Sequence, residues 1–438
     1  MSRQHLRQLA GLKPGEGVPS FMAGIMFFCL MCSYFILKPV RDEMGIASGV
    51  RDLPNLYLVT LAVMLVAAPL FGAASRGQRR DVFLPRVYRF LGLHLVVFYG
   101  LFQFVPAAAP WLGRVFFVWV SVFNLFALSL FWGFMADGLG YRRGRRVLAV
   151  VAVGGTAGAI LGASITDLLV SPLGQVPLLL VSLVFLEAAV RMVGPLSERF
   201  LRLDDGEDTA AATPTPRGSI WSGIVLVTRS PYLLAICAFL LLYSLSSTFL
   251  YLAQAGIVAA TEDGRAARTQ LLARIEIWVQ GATLITQLAV TGRLIRRVGS
   301  GPVLAVLPLL TAAGFAALGL HPGLATLVVV QVLRRTVNYA LVKPARESLY
   351  TPLTQLAQYR AKSFIDTFVY RGGDALGATS YNLLATVGLS LSGIAFVAVP
   401  LCLIWSVVAV HLGRQQRHLA VAPAPRDPAA LPLPTHTD

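Results

Sequence analysis

Twelve apolar runs, each long enough to cross a bilayer, follow one another along this chain. An α-helix rises 1.5 Å per residue, so crossing about 30 Å of hydrocarbon takes about 20 residues. Runs of that length lie near 20–38, 53–74, 87–106, 113–135, 147–169, 174–194, 231–253, 270–291, 302–320, 323–342, 363–385 and 388–411. Backbone amides meet no water inside hydrocarbon, and a run of this kind satisfies them only as a helix. With 56% of residues hydrophobic and 13% charged, the chain lies far from soluble averages. It reads as an all-α polytopic membrane protein with twelve transmembrane helices and the lipid bilayer as its first partner.

The formal net charge of +16 invites a search for a polyanion, but its location answers for it. Arg76, Arg79, Arg80, Arg86 and Arg89 follow the second run, Arg142, Arg143, Arg145 and Arg146 the fourth, and Arg293, Arg296 and Arg297 the eighth. The alternate loops carry almost no basic residues. That asymmetry predicts both termini in the cytoplasm and leaves no need for nucleic acid. No cleavable signal peptide is expected, because the polar stretch 1–19 leads into a run long enough to span. Cys29, Cys32, Cys237 and Cys402 fall inside predicted helices and the six histidines are scattered, so no disulfide framework, metal site or cofactor is expected. Arginine outnumbers lysine 33 to 4, which suggests a GC-rich bacterial genome and hence the bacterial inner membrane.

The longest hydrophilic interruption, 197–230, contains LRLDDGEDTAAATPTPRGS and reads as a cytoplasmic linker. It divides the runs six and six. The domains expected are a six-helix bundle over 1–196, the linker, a second bundle over 231–413 and a disordered tail over 414–438. This is the arrangement of major facilitator transporters, whose halves are built from inverted three-helix units. FGAASRGQRRDVFLP after the second run and VTGRLIRRVGSGPVL after the eighth repeat one loop pattern. On the fifth run Gly154, Gly158 and Gly162 recur every four residues. No strand precedes them, so they are no dinucleotide fingerprint; the spacing predicts close helix approach.

One phrase occurs twice at the end of an apolar run: YFILKPVRDEMG from Tyr34 and YALVKPARESLY from Tyr339. Tyr34, Lys38 and Arg41 stand at i, i+4 and i+7, and Tyr339, Lys343 and Arg346 repeat the spacing with Arg335 one turn earlier, so each set shares a helical face. Pro39 and Pro344 each remove a helical hydrogen bond, so the helix is expected to bend or open beside the cations. Arg334 and Arg335 fall near the middle of the tenth run, where an unpaired charge costs at least about 2.5–3.5 kcal/mol; they need an acidic partner or a hydrated cavity. Several cations on one cavity suit a phosphate chain, and Tyr34, Tyr339, Tyr350 and Trp278 are candidates to stack on a ring. The substrate set is therefore Tyr34, Lys38, Arg41, Arg335, Tyr339, Lys343 and Arg346. The gate or coupling set is Asp42, Glu43, Glu276, Glu347, Asp366, Arg371 and Asp374. Arg371 and Asp374 at i, i+3 can pair, and Glu276 heads a polar stripe with Gln280 and Gln287.

The stretch from Tyr339 through Gly377 resembles the ATP/ADP translocases, the nucleotide exchange transporters of obligate intracellular bacteria and plastids. Tyr339, Leu341, Pro344, Glu347, Tyr350, Pro352, Leu353, Lys362, Ile365, Asp366 and Arg371 match that family's pattern, and Ile36, Leu37 and Asp42 match in the first phrase. The family's Lys in the first phrase falls on Arg41 and its Arg on Lys38; in the second phrase its Asp falls on Lys343 and its Lys on Arg346. The resemblance implies the major facilitator fold, an anionic substrate and both phrases drawn into a central cavity. For the first phrase that requires the helix to extend past Pro39; entrance sites on opposite faces are the alternative.

The function expected is secondary transport of an anionic, phosphorylated solute, with nucleotide exchange as the specific form, by a monomer working through alternating access. No Walker-type loop is present, so energy comes from exchange or an ion gradient and not from ATP hydrolysis. The alternatives from other classes are a non-transporting sensor or partner subunit and a membrane enzyme acting on a lipid phosphate; the chain is expected not to be an enzyme.

Overall fold

The computed structural model describes residues 16–74, 77–204, 220–351, 353, 357, 361–362 and 364–421, and the backbone alone at 140–150, 202–204, 220–223, 295–296, 300, 366–367 and 420–421. Among them every regular element is helical. In chain order these are α1 Gly17–Ala47, α2 Leu53–Ala74, α3 Arg80–Phe104, α4 Ala109–Leu173, α5 Leu178–Arg191, α6 Val193–Asp204, α7 Ile220–Thr228 and α8 Pro231–Thr261. Then come α9 Arg265–Thr286, α10 Gly292–Val298, α11 Ser300–Leu320, α12 Leu324–Val337, α13 Lys343–Ser348, α14 Tyr370–Thr386 and α15 Leu391–Val421. π-helical turns occupy Gln287–Thr291, Asn338–Val342 and Ile365–Val369.

Nine segments among the described residues are long and apolar enough to span a membrane. The eighth, tenth and eleventh runs fall outside that set although they are helical. Each of them carries internal charge, and each holds one of the three π turns. α4 takes in the fourth and fifth runs together. Phe27 stacks on Phe131 at 4.6 Å and also meets Gly155, points about 36 Å apart on a straight helix, so α4 turns back between them.

Three helix bounds differ from the sequence expectation. α1 runs unbroken through Pro39 to Ala47, so the proline does not open it; dense packing on both sides of that turn, where Ile36, Leu37, Val40 and Met44 are buried, keeps it helical. Within the stretch read as linker, 197–204 and 220–228 are helical. Val193, Leu196 and Phe200 are buried at the i, i+3, i+7 spacing of one helical face. α15 continues to Val421, eight residues into the expected tail; 205–219 and 422–438 lie outside the described residues.

The chain forms two compact units. Unit 1 comprises Met1–Ala212 with Ala255–Leu284, and unit 2 comprises Thr213–Gln254 with Ile285–Asp438. In unit 1 a Cβ added at Gly154, Gly158 or Gly162 would overlap the backbone carbonyl of Gly24, Phe28 or Cys32. One turn further Thr166 Oγ1 donates to the Ile36 carbonyl at 3.2 Å. α4 thus tracks α1 in parallel, every fourth residue at four successive points. Unit 2 repeats the device: Gly373 lies on Leu241 and Ser244, and Gly377 on Leu245 and Thr248, so α14 lies flush on α8.

Replacing Gly158 by Ala should cost about 1–3 kcal/mol, the range for overpacking. Gly256→Ala, in a helix position with nothing within 4 Å of the new Cβ, should be neutral or stabilising by about 0.5–1 kcal/mol. Thermal unfolding of the two purified variants in one detergent checks the pair.

Candidate functional site

Because α1 continues past Pro39, Lys38, Arg41 and Asp42 stand at i, i+3 and i+4 on one helix and meet. Lys38 Nζ lies 3.3 Å from Asp42 Oδ2 and also donates to Glu276 of α9. Arg41 reaches Asp42 Oδ1 through Nε at 2.9 Å and Nη2 at 2.5 Å, and its guanidinium sits 5.0 Å from the Phe117 ring centroid. Two cations and two carboxylates are thereby gathered where the acid side chains are only 3% exposed. Buried charges hold such an arrangement only when their partners compensate lost hydration.

α9 is tied to the same unit at two further points. Glu43 is fully buried; it accepts from Gln175 Nε2 at 2.7 Å and from Arg265 Nε at 3.3 Å. Gln175 also donates to Thr269 Oγ1 at 2.6 Å. Arg274 Nε pairs with Asp167 Oδ1 at 2.9 Å, and Gln270 Nε2 donates to the Asp167 carbonyl at 3.0 Å. α9 therefore carries Arg265, Thr269, Gln270, Arg274 and Glu276 against α1, α4 and the residue that follows Gly174.

Unit 2 meets charge differently. Tyr243, Ser244, Ser247 and Thr248 form one face of α8; Gln331, Arg334, Arg335, Asn338 and Tyr339 follow the i, i+3, i+4, i+7, i+8 pattern along α12 and its π turn; Tyr370, Arg371 and Asp374 head α14. Asp374 is held by Arg371 Nη1 at 3.1 Å, by Thr248 Oγ1 at 3.3 Å and by Ser244 Oγ. Four cations sit over tyrosine rings: Arg334 over Tyr243 at 5.5 Å, Arg335 over Tyr339 at 5.7 Å, Lys362 over Tyr350 at 5.8 Å and Arg371 over Tyr370 at 5.5 Å. A tyrosine face contributes about 0.5–2 kcal/mol to a cation without neutralising it.

At the second phrase the helix does open, since Lys343 N–H bonds back to the Asn338 carbonyl across a π turn. Lys343 and Glu347 are exposed and Arg346 half-buried; Glu347 pairs with Lys362 at 2.5 Å. Tyr34 is half-buried, edge-on to Phe35. Trp278 is 66% exposed, and Tyr350 is packed in the core with Lys362 over its ring. Asp366 has its backbone in the third π turn, and its side chain lies outside the described residues.

The sequence reading omits Gln175, Arg265, Thr269 and Asp167. Nothing in their spacing marks them, for they join α1 to α9 only through tertiary packing. It also omits the α8 hydroxyl face, although YSLSST, polar groups at i, i+1, i+4 and i+5 in an apolar run, is a legible signal.

No family model matches the chain. It is similar to ADP,ATP carrier protein 1 of Chlamydia muridarum, 24% identical over 485 aligned residues covering 93% of this chain and 92% of that protein. The protein of the same name from Chlamydia trachomatis is 22% identical over 459, covering 89% and 87%. Among solved structures it is similar to the E. coli fucose:proton symporter, TM-score 0.59 at 13% identity with 91% and 98% covered. It is equally similar to a POT family transporter in complex with a thioalcohol-conjugated peptide, TM-score 0.59 at 11% identity with 90% and 96% covered. These structures establish the fold, that of major facilitator transporters. The chain is a multi-pass α-helical membrane protein similar to bacterial ADP,ATP carriers along about nine tenths of its length.

Removing either Lys38 or Glu276 leaves a buried charge short of its partner. Lys38→Gln and Glu276→Gln should each destabilise the protein by more than the double variant does, with a coupling energy on the order of 1–3 kcal/mol. A double-mutant cycle on thermal or denaturant unfolding measures it; additive losses would show that the two side chains do not act on each other.

Proposed function

We propose that the chain is a secondary transporter that exchanges anionic, phosphorylated solutes of the nucleoside di- and triphosphate kind by alternating access. It works as a monomer in the bacterial inner membrane with both termini in the cytoplasm. The observation that carries the reading is the charge of one interrupted helix: from 334 to 346 stand Arg334, Arg335, Lys343 and Arg346 with no acidic residue among them. Similarity to ADP,ATP carriers over most of the chain supports the nucleotide as the form of that anion.

The two sets of residues take different parts in this reading. Arg335, Tyr339, Lys343 and Arg346 bind the solute, through charge-assisted hydrogen bonds to phosphate oxygens. Lys38 and Arg41 already face Asp42 and Glu276, and this balance supports moving them into the gate with Glu43. α9 must leave α1 when access alternates, and the Lys38, Glu43 and Asp167 pairs are what it would have to release. Arg371 and Asp374 couple α14 to α8, with Asp366 and Glu347 completing the coupling set. A nucleotide or pyrophosphate chain carries several negative charges, so counter-movement of a similar anion keeps the charge moved per cycle small; this favours exchange over uniport.

Uptake of labelled ATP and ADP into proteoliposomes, with and without the same solute inside, tests the reading. Uptake should require internal nucleotide. Lys343→Gln and Arg346→Gln should each lower uptake per folded molecule by about 10-fold or more, the loss of one charge-assisted bond. Uptake of neither nucleotide by folded protein would overturn the nucleotide assignment, and uptake indifferent to preloading would overturn exchange.

A further inference from the structure

Arg334 and Arg335 are neighbours on α12 and are housed in different ways. Arg335 is half-buried over Tyr339. Arg334 is 4% exposed. Its Nη2 donates to Ser247 Oγ at 2.5 Å, and its guanidinium lies over the Tyr243 ring. Its Nε is buried and has no hydrogen-bond partner. Among the described residues no carboxylate pairs with it: Asp374 is engaged by Arg371, Ser244 and Thr248, and Glu347 by Lys362.

The surroundings of Arg334 are built rather than incidental. The Ser247 hydroxyl donates to the Tyr243 carbonyl at 2.7 Å, which fixes its oxygen as the acceptor toward Arg334. Tyr243 is pinned in turn: Asn338 Nδ2 donates to its hydroxyl at 2.9 Å, and Tyr370 and Trp405 each lie 5.9 Å from it, centroid to centroid. A charge at this depth costs about 2.5–3.5 kcal/mol on insertion scales, and one hydroxyl with one ring answers it only in part. A guanidinium whose sole duty was structural would be met by a carboxylate, as Arg371 is. Here, among the described residues, the charge is held in place and met by no carboxylate, and its Nε donor is unspent.

We infer that Arg334, seated on Tyr243 and steadied by Ser247, is an anion-binding group of unit 2 that takes a phosphoryl group of the transported solute. The planar fork of a guanidinium matches a phosphoryl group bidentately, and the tyrosine face leaves the full charge available to it. This deepens the reading of the protein as a transporter of phosphorylated anions and rests on it.

The test uses the full-length protein purified in detergent and the rise of its melting temperature with ATP, pyrophosphate or adenosine. Wild type should be stabilised by ATP and pyrophosphate and not by adenosine at equal concentration. Arg334→Gln removes a buried, unneutralised charge, so without ligand it should melt at or above the wild-type temperature, while the ligand concentration giving half the shift rises by about 10-fold or more. Ser247→Asp keeps the arginine and supplies it with a carboxylate of its own; this variant should likewise fold and lose the response to pyrophosphate. Either folded variant responding to pyrophosphate as wild type does would overturn the inference while the transport reading stood. Should Arg334→Gln fail to fold, Ser247→Asp decides alone. A wild-type protein indifferent to both anions would overturn the inference together with the reading beneath it.

Discussion

A charge at membrane depth must be answered by something, and the manner of the answer organises this molecule. In unit 1 carboxylates answer: Asp42 and Glu276 take Lys38 and Arg41, Glu43 takes Arg265 and Asp167 takes Arg274. In unit 2 tyrosine rings and hydroxyls stand over or beside Arg334, Arg335 and Arg371. The first solution ties α9 to α1 and α4 through paired charges. The second holds a cation in position over a ring face that does not neutralise it, with Asp374 added at Arg371.

Neither solution would work on loosely packed helices. The register in which Gly154, Gly158, Gly162 and Thr166 follow Gly24, Phe28, Cys32 and Ile36 brings backbone against backbone over about 18 Å. A single Cβ in the seam would lift α4 off α1 and alter where Lys38 and Glu43 stand. α14 rests on α8 in the same fashion through Gly373 and Gly377, and there the seam delivers Asp374 to Ser244 and Thr248. The same device thus serves both units, and in unit 2 it places an acid within hydrogen-bond reach of two hydroxyls.

Much of this was legible beforehand. Run length alone gave helices and their order, since hydrocarbon admits few alternatives. The glycine spacing foretold a close helix approach, and the structure supplies α1 as the partner. The repeated phrase pointed to Lys38, Arg41, Lys343 and Arg346, and the resemblance required α1 to pass Pro39, as it does. Other features depended on tertiary context. A proline in a helix interior removes one bond, but whether the helix opens depends on what packs around it, and the two copies of the phrase differ in this respect: α1 stays closed and the tenth run opens. Gln175 and Arg265 are far apart in sequence from Glu43 and carry no pattern that announces them. The eighth, tenth and eleventh runs, which fall outside the plain membrane spans, carry Arg274 and Glu276, Arg334 and Arg335, and Asp366, Arg371 and Asp374.

Those three runs also carry the π turns, and a π turn alters how a helix should be counted. It accommodates one residue beyond the α-helical number, so everything after it is set back by about 100° relative to an unbroken α-helix. On an ideal α-helix Lys343 would stand about 80° around from Arg335; with the wide turn at Asn338–Val342 between them, the difference falls to about 20°. Arg346 swings the other way, from about 20° to about 80°. The wide turn therefore re-aims the ammonium of Lys343 along the azimuth of Arg335, and a ruler of 3.6 residues laid along the letters points to the wrong cation.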